Sequence, residues 1–99
     1  MSWYVYILLC DQKTFYVGIT DNLERRLTQH KRKESFFTKK FSEIEIAYTE
    51  EHPRRGVAER RELQLKKWSI AKKKALISGN KELLRQLSKG REIGDAFRR

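Results

Sequence analysis

The sequence predicts an α+β fold, in the order ββαβ followed by helices, on a small sheet. Three observations carry this. The opening stretch WYVYILLC is apolar or aromatic on both of its alternating faces, which marks a central strand covered on two sides. Asp11-Gln12-Lys13 is turn-like and leads into a second run, TFYVGI, so the two make a hairpin. Helical spacing then replaces alternation after Asp21 and again after Pro53.

The elements follow in order. Ser2–Cys10 and Thr14–Ile19 are the two hairpin strands. Asp21 is a good N-cap, and Glu24 completes a capping-box-like pair, so a helix should run from about Asn22 to Lys33. Leu23, Leu27 and His30 mark its inner stripe, and Lys31-Arg32-Lys33 sits where the helix dipole favours cations. A loop from Glu34 to Phe41 carries Phe36, Phe37, Lys39 and Lys40. Ile44, Ile46 and Tyr48 alternate with Glu45, Ala47 and Thr49 as a third strand. Pro53 suits the first turn of a second helix reaching Trp68. Ser69 caps a short helix through Ile77 that Gly79 ends; Asn80 caps another over Lys81–Ser88 that Gly90 stops. Residues 1–90 are expected to be one domain and residues 91–99 a frayed basic tail.

The totals restrict the function classes. The net charge is +10, and it is unevenly placed. The first 50 residues carry 8 Lys/Arg against 7 Asp/Glu, and the remainder 15 against 6. A basic half joined to a near-neutral half points to a polyanion partner, most often nucleic acid. No apolar run of membrane-spanning length exists, and no secretory leader is visible. Cys10 is the one cysteine, so a disulfide framework and a cysteine zinc site are excluded. A cytoplasmic, reducing compartment and no membrane partner are the expectation.

Several residues are candidates for chemistry. Gly18 follows Tyr16 closely and permits a close backbone approach just before a capped helix, where free N–H groups can receive an anion. With a three-residue hairpin loop, Tyr6 faces Gly18 and Tyr16 faces Leu8, and both phenols share one sheet face. A four-residue loop would separate them. Arg26 and His30 lie one helical turn apart on one face. His30 fits either a hydrogen-bonded structural role or a chemical one. Glu62 falls on the apolar stripe of Ala58, Leu65 and Trp68. A carboxylate there is costly unless it is paired or holds a metal. It either pairs with Lys66 at the stripe edge or serves a magnesium ion that keeps its waters and borrows phosphate oxygens.

Taken together, these residues resemble the GIY-YIG nuclease domain in its small stand-alone bacterial form. The first motif matches as Tyr4-Val5-Tyr6 and the second as Tyr16-Val17-Gly18. TDNLERRLTQH resembles the family helix, whose arginine falls on Arg26, with His30 and Asn22 at matching positions. VAERRELQLKKW resembles the later helix, whose metal-binding glutamate falls on Glu62. The resemblance spans roughly residues 2–78 and includes five motif positions in order. Two departures stand out: Tyr4 replaces the glycine of the motif's name, and Ile19 stands where the excision-repair incision subunit has a lysine.

The resemblance implies a three-stranded antiparallel sheet flanked by helices. It also implies hydrolysis of DNA phosphodiester bonds with one Mg²⁺ or Mn²⁺, in DNA repair or processing. Tyr6 or Tyr16 would activate water, His30 would assist, Arg26 would stabilise phosphoryl charge and Glu62 would hold the metal. Gly18, Asn22, Arg25, Arg54, Arg55, Lys66 and Lys67 would contact phosphates. Specificity would come from the domain surface or from a protein partner. The alternative is a nucleic-acid-binding module of the same fold with little or no cleavage. A small ribonucleoprotein component rests on charge alone.

Overall fold

The computed structural model describes residues 2–35 and 38–87. The expectations for Phe36, Phe37, Ser88, Gly90 and the 91–99 tail lie outside the described residues. The chain divides into two compact units, one ending at Lys67 and the other starting at Trp68.

The first unit is built on a three-stranded antiparallel sheet in the order β2-β1-β3. β1 is Trp3–Cys10, β2 is Thr14–Thr20 and β3 is Ile44–His52. The two-sided apolar pattern of β1 thus matches its central place, with Val5, Tyr6, Ile7, Leu8 and Cys10 all buried. Asp11 and Gln12 turn the hairpin with φ of 50° and 61°. Both are in the left-handed region, which Asp tolerates better than most side chains. The Asp11 carboxylate also accepts from the backbone N–H groups of Ser42 and Glu43, at 2.9 and 2.7 Å, and ties the turn to the start of β3.

The register has Cys10 opposite Thr14, Leu8 opposite Tyr16 and Tyr6 opposite Gly18. This is the three-residue-loop alternative, and it puts both phenols on one face. That face also holds Leu8, Cys10 and Ile44, covered by Leu23, Leu27 and Phe41.

β3 differs from the simple alternation. Ile7 faces Tyr48 but Leu8 faces Ile46, so Ala47 is an extra residue in the ladder. The bulge reverses the facing of everything after it. Ile44 and Ile46 lie on the Tyr6 face, whereas Tyr48 and Glu50, opposite Ile7 and Val5, lie on the other.

Helix α1 is Leu23–Lys31, shorter than expected at both ends. Its N-cap is Asn22 rather than Asp21: the Asn22 side-chain Oδ1 accepts from the Arg25 backbone N–H at 3.0 Å. Asp21, displaced from capping, pairs with the Arg25 guanidinium at 2.6 Å. At the far end Lys33 takes φ 65° and stops the helix.

Helix α2 is Arg55–Lys66, so Pro53 precedes it and Arg54 is its cap residue without a side-chain bond. It packs across all three strands, burying Ala58 and Leu65. It is fastened by charge as well. Arg61 donates to Glu50 from both Nε and Nη2, the latter at 2.8 Å. Tyr48 donates to the same carboxylate at 2.5 Å, and His52 lies 3.0 Å from it. Burial alone would raise the Glu50 pKa; hydrogen bonds from Arg61, Tyr48 and His52 overturn this and bring it to about 2.

In the second unit, Ser69 caps α3, Ile70–Ser78, by accepting from the Lys72 N–H at 3.1 Å. Gly79 ends the helix with φ 73°, a left-handed value that glycine adopts without cost. Asn80 then accepts from the Leu83 N–H at 3.0 Å and starts a helix over residues 81–87. The Lys72 ammonium lies 4.1 Å from the Trp68 ring centroid.

Glu50→Gln is expected to destabilise the first unit by about 1–3 kcal/mol, because it leaves a part-buried guanidinium without its counter-charge. A thermal melt of the variant beside the unaltered protein measures this; an unchanged melting temperature would mean that packing alone docks α2.

Candidate active site

The site grows from one face of the β-hairpin. Tyr6 projects from the central strand and is 2% exposed. Its ring lies across the backbone of residue 18. A Cβ at that position would meet the Tyr6 hydroxyl oxygen at 2.4 Å, its Cζ at 2.6 Å and Tyr16 Cε1 at 3.1 Å. Glycine is therefore required by space. The Tyr6 and Tyr16 rings lie 6.3 Å apart between centroids, tilted by 38°.

α1 brings two further groups over these rings. Arg26 Nε donates to the Tyr6 hydroxyl at 3.3 Å, and Arg26 Nη1 donates to Gln29 Oε1 at 3.0 Å. His30, fully buried, has Nε2 at 2.9 Å from the Tyr6 hydroxyl and Nδ1 at 2.6 Å from Thr38 Oγ1. Its ring meets Tyr16 edge-on at a centroid distance of 5.2 Å. Leu8, Leu23, Leu27 and Ile46 wall the small apolar notch where Tyr6, Arg26 and His30 meet.

The electrostatics follow from this crowding. Burial pushes the Tyr6 phenol up to about 12, against the opposing hydrogen bond from Arg26. Burial and the Arg26 charge lower His30 to about 4, so the imidazole is neutral at physiological pH. Arg26 stays cationic: burial disfavours its charge, and the Tyr6 and Tyr16 phenols more than compensate.

Glu62 stands apart from the hydrogen-bonded group. It lies on the α2 stripe as its spacing required, with its side chain 19% exposed and Lys66 Nζ at 3.5 Å. The edge-of-stripe ion pair is thus present. Its negative charge is nonetheless close enough to oppose ionisation of Tyr6. Among the described residues no group of three His, Cys, Asp or Glu could form an all-protein metal cage. The donor chemistry of Glu62 fits a hard divalent cation that keeps waters and takes phosphate oxygens. Its ion pair is long, and the lysine side chain is 51% exposed, free to turn toward solvent.

The remaining predicted contacts are dispersed. Asn22 and Arg25 sit at the start of α1, and their side chains serve the cap and the Asp21 pair. Arg55 pairs with Glu59 at 2.8 Å and lies 5.1 Å from the Trp3 ring centroid. Arg54 and Arg55 are at one end of α2 and Lys66 and Lys67 at the other, about 18 Å apart along the helix axis. These four do not form one patch. Sequence reasoning missed Thr38 and Gln29. Gln29, three residues after Arg26, was within reach of helical spacing; nothing local marked Thr38.

The family model for the GIY-YIG catalytic domain matches residues 2–75. The chain belongs to the GIY-YIG family. A UPF0213 protein of Natronomonas pharaonis is 37% identical over 76 residues, covering 76% of this chain and 89% of that protein. A UPF0213 protein of Syntrophus aciditrophicus is 38% identical over 81 residues, covering 80% of this chain and 93% of that protein. The solution NMR structure of a UPF0213 protein from Bacillus halodurans aligns with a TM-score of 0.52 at 32% identity, covering 79% of this chain and 84% of that one. A GIY-YIG domain points to a nuclease, with DNA as substrate and a divalent metal as cofactor. Among the described residues no helix is long and apolar enough to cross a membrane.

Two outcomes are expected from this geometry. Gly18→Ala should force the Tyr6 hydroxyl off Arg26 and His30 and cost about 1–3 kcal/mol by overpacking. A normal melting temperature would mean that the ring has another place to go. Stability should also fall in two acid stages. His30 binds a proton more weakly folded than unfolded, so its contribution is full above about pH 6.5 and is lost as pH falls toward 4. Glu50 behaves likewise between about 4.5 and 2. Melts from pH 7.5 to 3 should show the first stage vanish in His30→Gln and the second in Glu50→Gln.

Proposed function

We propose that the protein is a metal-dependent endonuclease hydrolysing DNA phosphodiester bonds. The observation carrying this reading is the Tyr6 hydroxyl, held at once by the Arg26 cation and the neutral His30 imidazole. A phenol with a pKa of about 12 is scarcely ionised at neutral pH and is a poor base by itself. A phenol bonded to an imidazole can instead pass a proton through. As a water oxygen attacks phosphorus, its proton goes to the Tyr6 oxygen and the Tyr6 proton goes to His30 Nε2. The phosphorus–oxygen bond to the leaving sugar breaks with its electron pair on that oxygen, which departs as an alkoxide and takes a proton from solvent.

Substrate binding raises the basicity of His30 in this scheme. The charge on Arg26 is one of the two causes that hold its pKa near 4. A phosphate paired with Arg26 offsets that charge, so the imidazole becomes more basic when the substrate is in place. Arg26 Nη groups, in turn, bond best when charge builds on the phosphoryl oxygens. Tyr16, half-buried beside them, would orient the phosphate. Glu62 would hold a divalent cation, which when bound supplies charge stabilisation for the leaving oxygen. Gly18, Asn22 and Arg25 flank the site, whereas Arg54, Arg55, Lys66 and Lys67 would grip DNA through sequence-independent phosphate contacts. A role in DNA repair or processing, and a protein partner that supplies specificity, accord with a domain this small.

The Glu62–Lys66 pair favours a second reading, a nucleic-acid-binding module in which Glu62 is structural. One experiment separates the two. Branched, nicked and plain duplex DNA is incubated with the protein and Mg²⁺ or Mn²⁺, with binding measured across a salt series. Cleavage should require metal and fall by about 10²–10³-fold in Arg26→Ala and about 10²–10⁴-fold in Tyr6→Phe, with a smaller loss in Tyr16→Phe. Glu62→Ala should lose cleavage while keeping its melting temperature. Metal-independent cutting, or an active Glu62→Ala, would remove the metal assignment. Salt-sensitive binding without cutting would leave the binding module, and salt-insensitive or absent binding would exclude both.

A further inference from the structure

We propose that Thr38 is a positioning residue that keeps the His30 proton on Nδ1 and so leaves Nε2 bare to accept the Tyr6 proton. Its effect on catalysis rests on the nuclease reading above; its effect on the imidazole does not.

The geometry is a single file of hydrogen bonds. Arg26 Nε lies 3.3 Å from the Tyr6 oxygen, which is 2.9 Å from His30 Nε2, and His30 Nδ1 is 2.6 Å from Thr38 Oγ1. The middle members are buried: Tyr6 keeps 2% of its surface exposed, and His30 and Thr38 are fully buried. A neutral imidazole has one N–H and one bare nitrogen, so the file can run in either direction.

The Arg26 end favours one direction, and the acceptor at Thr38 holds the imidazole proton on that side. A guanidinium only donates, so the Tyr6 oxygen must accept from it. The phenol proton is then free, and Nε2 is its acceptor among the described residues. A phenol is a stronger donor than an aliphatic alcohol, and a cation bonded to its oxygen strengthens it further. The file therefore runs Arg26 to Tyr6 to His30 to Thr38. The reverse direction would point two donors, Arg26 Nε and His30 Nε2, at one phenol oxygen and would use the weaker alcohol donor in place of the phenol.

The position of Thr38 is itself enforced. It lies in the connection between α1 and β3, where the Lys39 N–H bonds the Ser35 carbonyl at 3.0 Å and the Phe41 N–H bonds the Thr38 carbonyl at 3.0 Å. These bonds fold the chain so that a residue eight positions after His30 returns to its ring. A hydroxyl is the group this place calls for. A carboxylate would favour the charged imidazole and trap the proton, whereas an alkyl group would offer the N–H nothing.

The test reads the ring nitrogens directly. In ¹⁵N-labelled protein at neutral pH, His30 should show a protonated Nδ1 and a bare Nε2. Thr38→Val, close to isosteric, should shift the proton toward Nε2, and Thr38→Ser should restore it. In parallel cleavage assays, Thr38→Val should lower kcat by about 10²–10⁴-fold, the contribution that general acid–base transfer makes to a rate. DNA affinity should stay within about twofold, because Arg26 and the basic residues are untouched. Thr38→Ser should recover most of the rate. A protonated Nε2 in the unaltered protein overturns the proposal, and this reading needs no variant to fold. An unchanged tautomer in folded Thr38→Val overturns it as well. Absence of cleavage by the unaltered protein defeats the nuclease reading instead, while the ring-nitrogen spectra still decide what Thr38 does.

Discussion

The Tyr6 hydroxyl has its place only because residue 18 carries no side chain. A β-carbon there would lie 2.4 Å from that oxygen, well inside contact distance. Much of the first unit depends on this vacancy. It requires Tyr6 and Gly18 to be cross-strand partners, which fixes the hairpin register and so puts Tyr16 opposite Leu8. It lets a phenol lie down across the sheet where an aliphatic residue would stand up. A recumbent ring presents its oxygen to α1, where Arg26 and His30 are one turn apart. Glycine is normally weak in a strand interior because it contributes no packing. Here the Tyr6 ring supplies the missing contact, so the cost to the strand is partly offset by the neighbour that needs the space.

The opposite face is organised by a different constraint. An extra residue at Ala47 lets one nine-residue strand serve two layers. Before the bulge, Ile44 and Ile46 lie on the Tyr6 face, where Ile44 joins the apolar cluster under α1. Beyond it, Tyr48 and Glu50 turn to the other side, where Arg61 reaches down from α2. Without the bulge Tyr48 would crowd the Tyr6 face and Glu50 would lose Arg61. Because Arg61 adjoins Glu62, this ion pair also fixes the roll of α2 that sets where Glu62 can point. The carboxylate buried deepest in hydrogen bonds is therefore Glu50, which had no motif to announce it, and Glu62 has one lysine for a partner.

These details show what kind of information the sequence carried. The register was legible as arithmetic on a three-residue loop, because alternation leaves few choices once the turn is identified. The inner face of α1 was legible because Leu23, Leu27 and His30 share a helical stripe. The cap was assigned one residue early: Asp21 and Asn22 are both good caps, and selecting between them depended on where Thr20 left the sheet. The bulge at Ala47 was invisible, since it arises from what β1 offers opposite. Thr38 and the Glu50–Arg61 bond were also invisible, because each pairs residues that only the folded chain brings together. Local chemistry can be read one residue at a time, whereas long-range partnership cannot.

A histidine buried this completely carries two costs. Burial makes the imidazole a weak base and exposes the fold to acid, both of which argue for a plain apolar residue in its place. A leucine would fill the α1 stripe without either penalty. It would also leave the Tyr6 oxygen with Arg26 as its one polar partner and the phenol proton without an acceptor in a closed space. The two costs are linked. Once a phenol lies under α1, some acceptor must answer it, and a neutral imidazole is the side chain that can accept there and still return a proton. His30 is thus the consequence of putting Tyr6 beneath a helix, and Thr38 is the consequence of His30. Each buried polar group obliges the next, from the guanidinium at the surface to the hydroxyl at the end of the file.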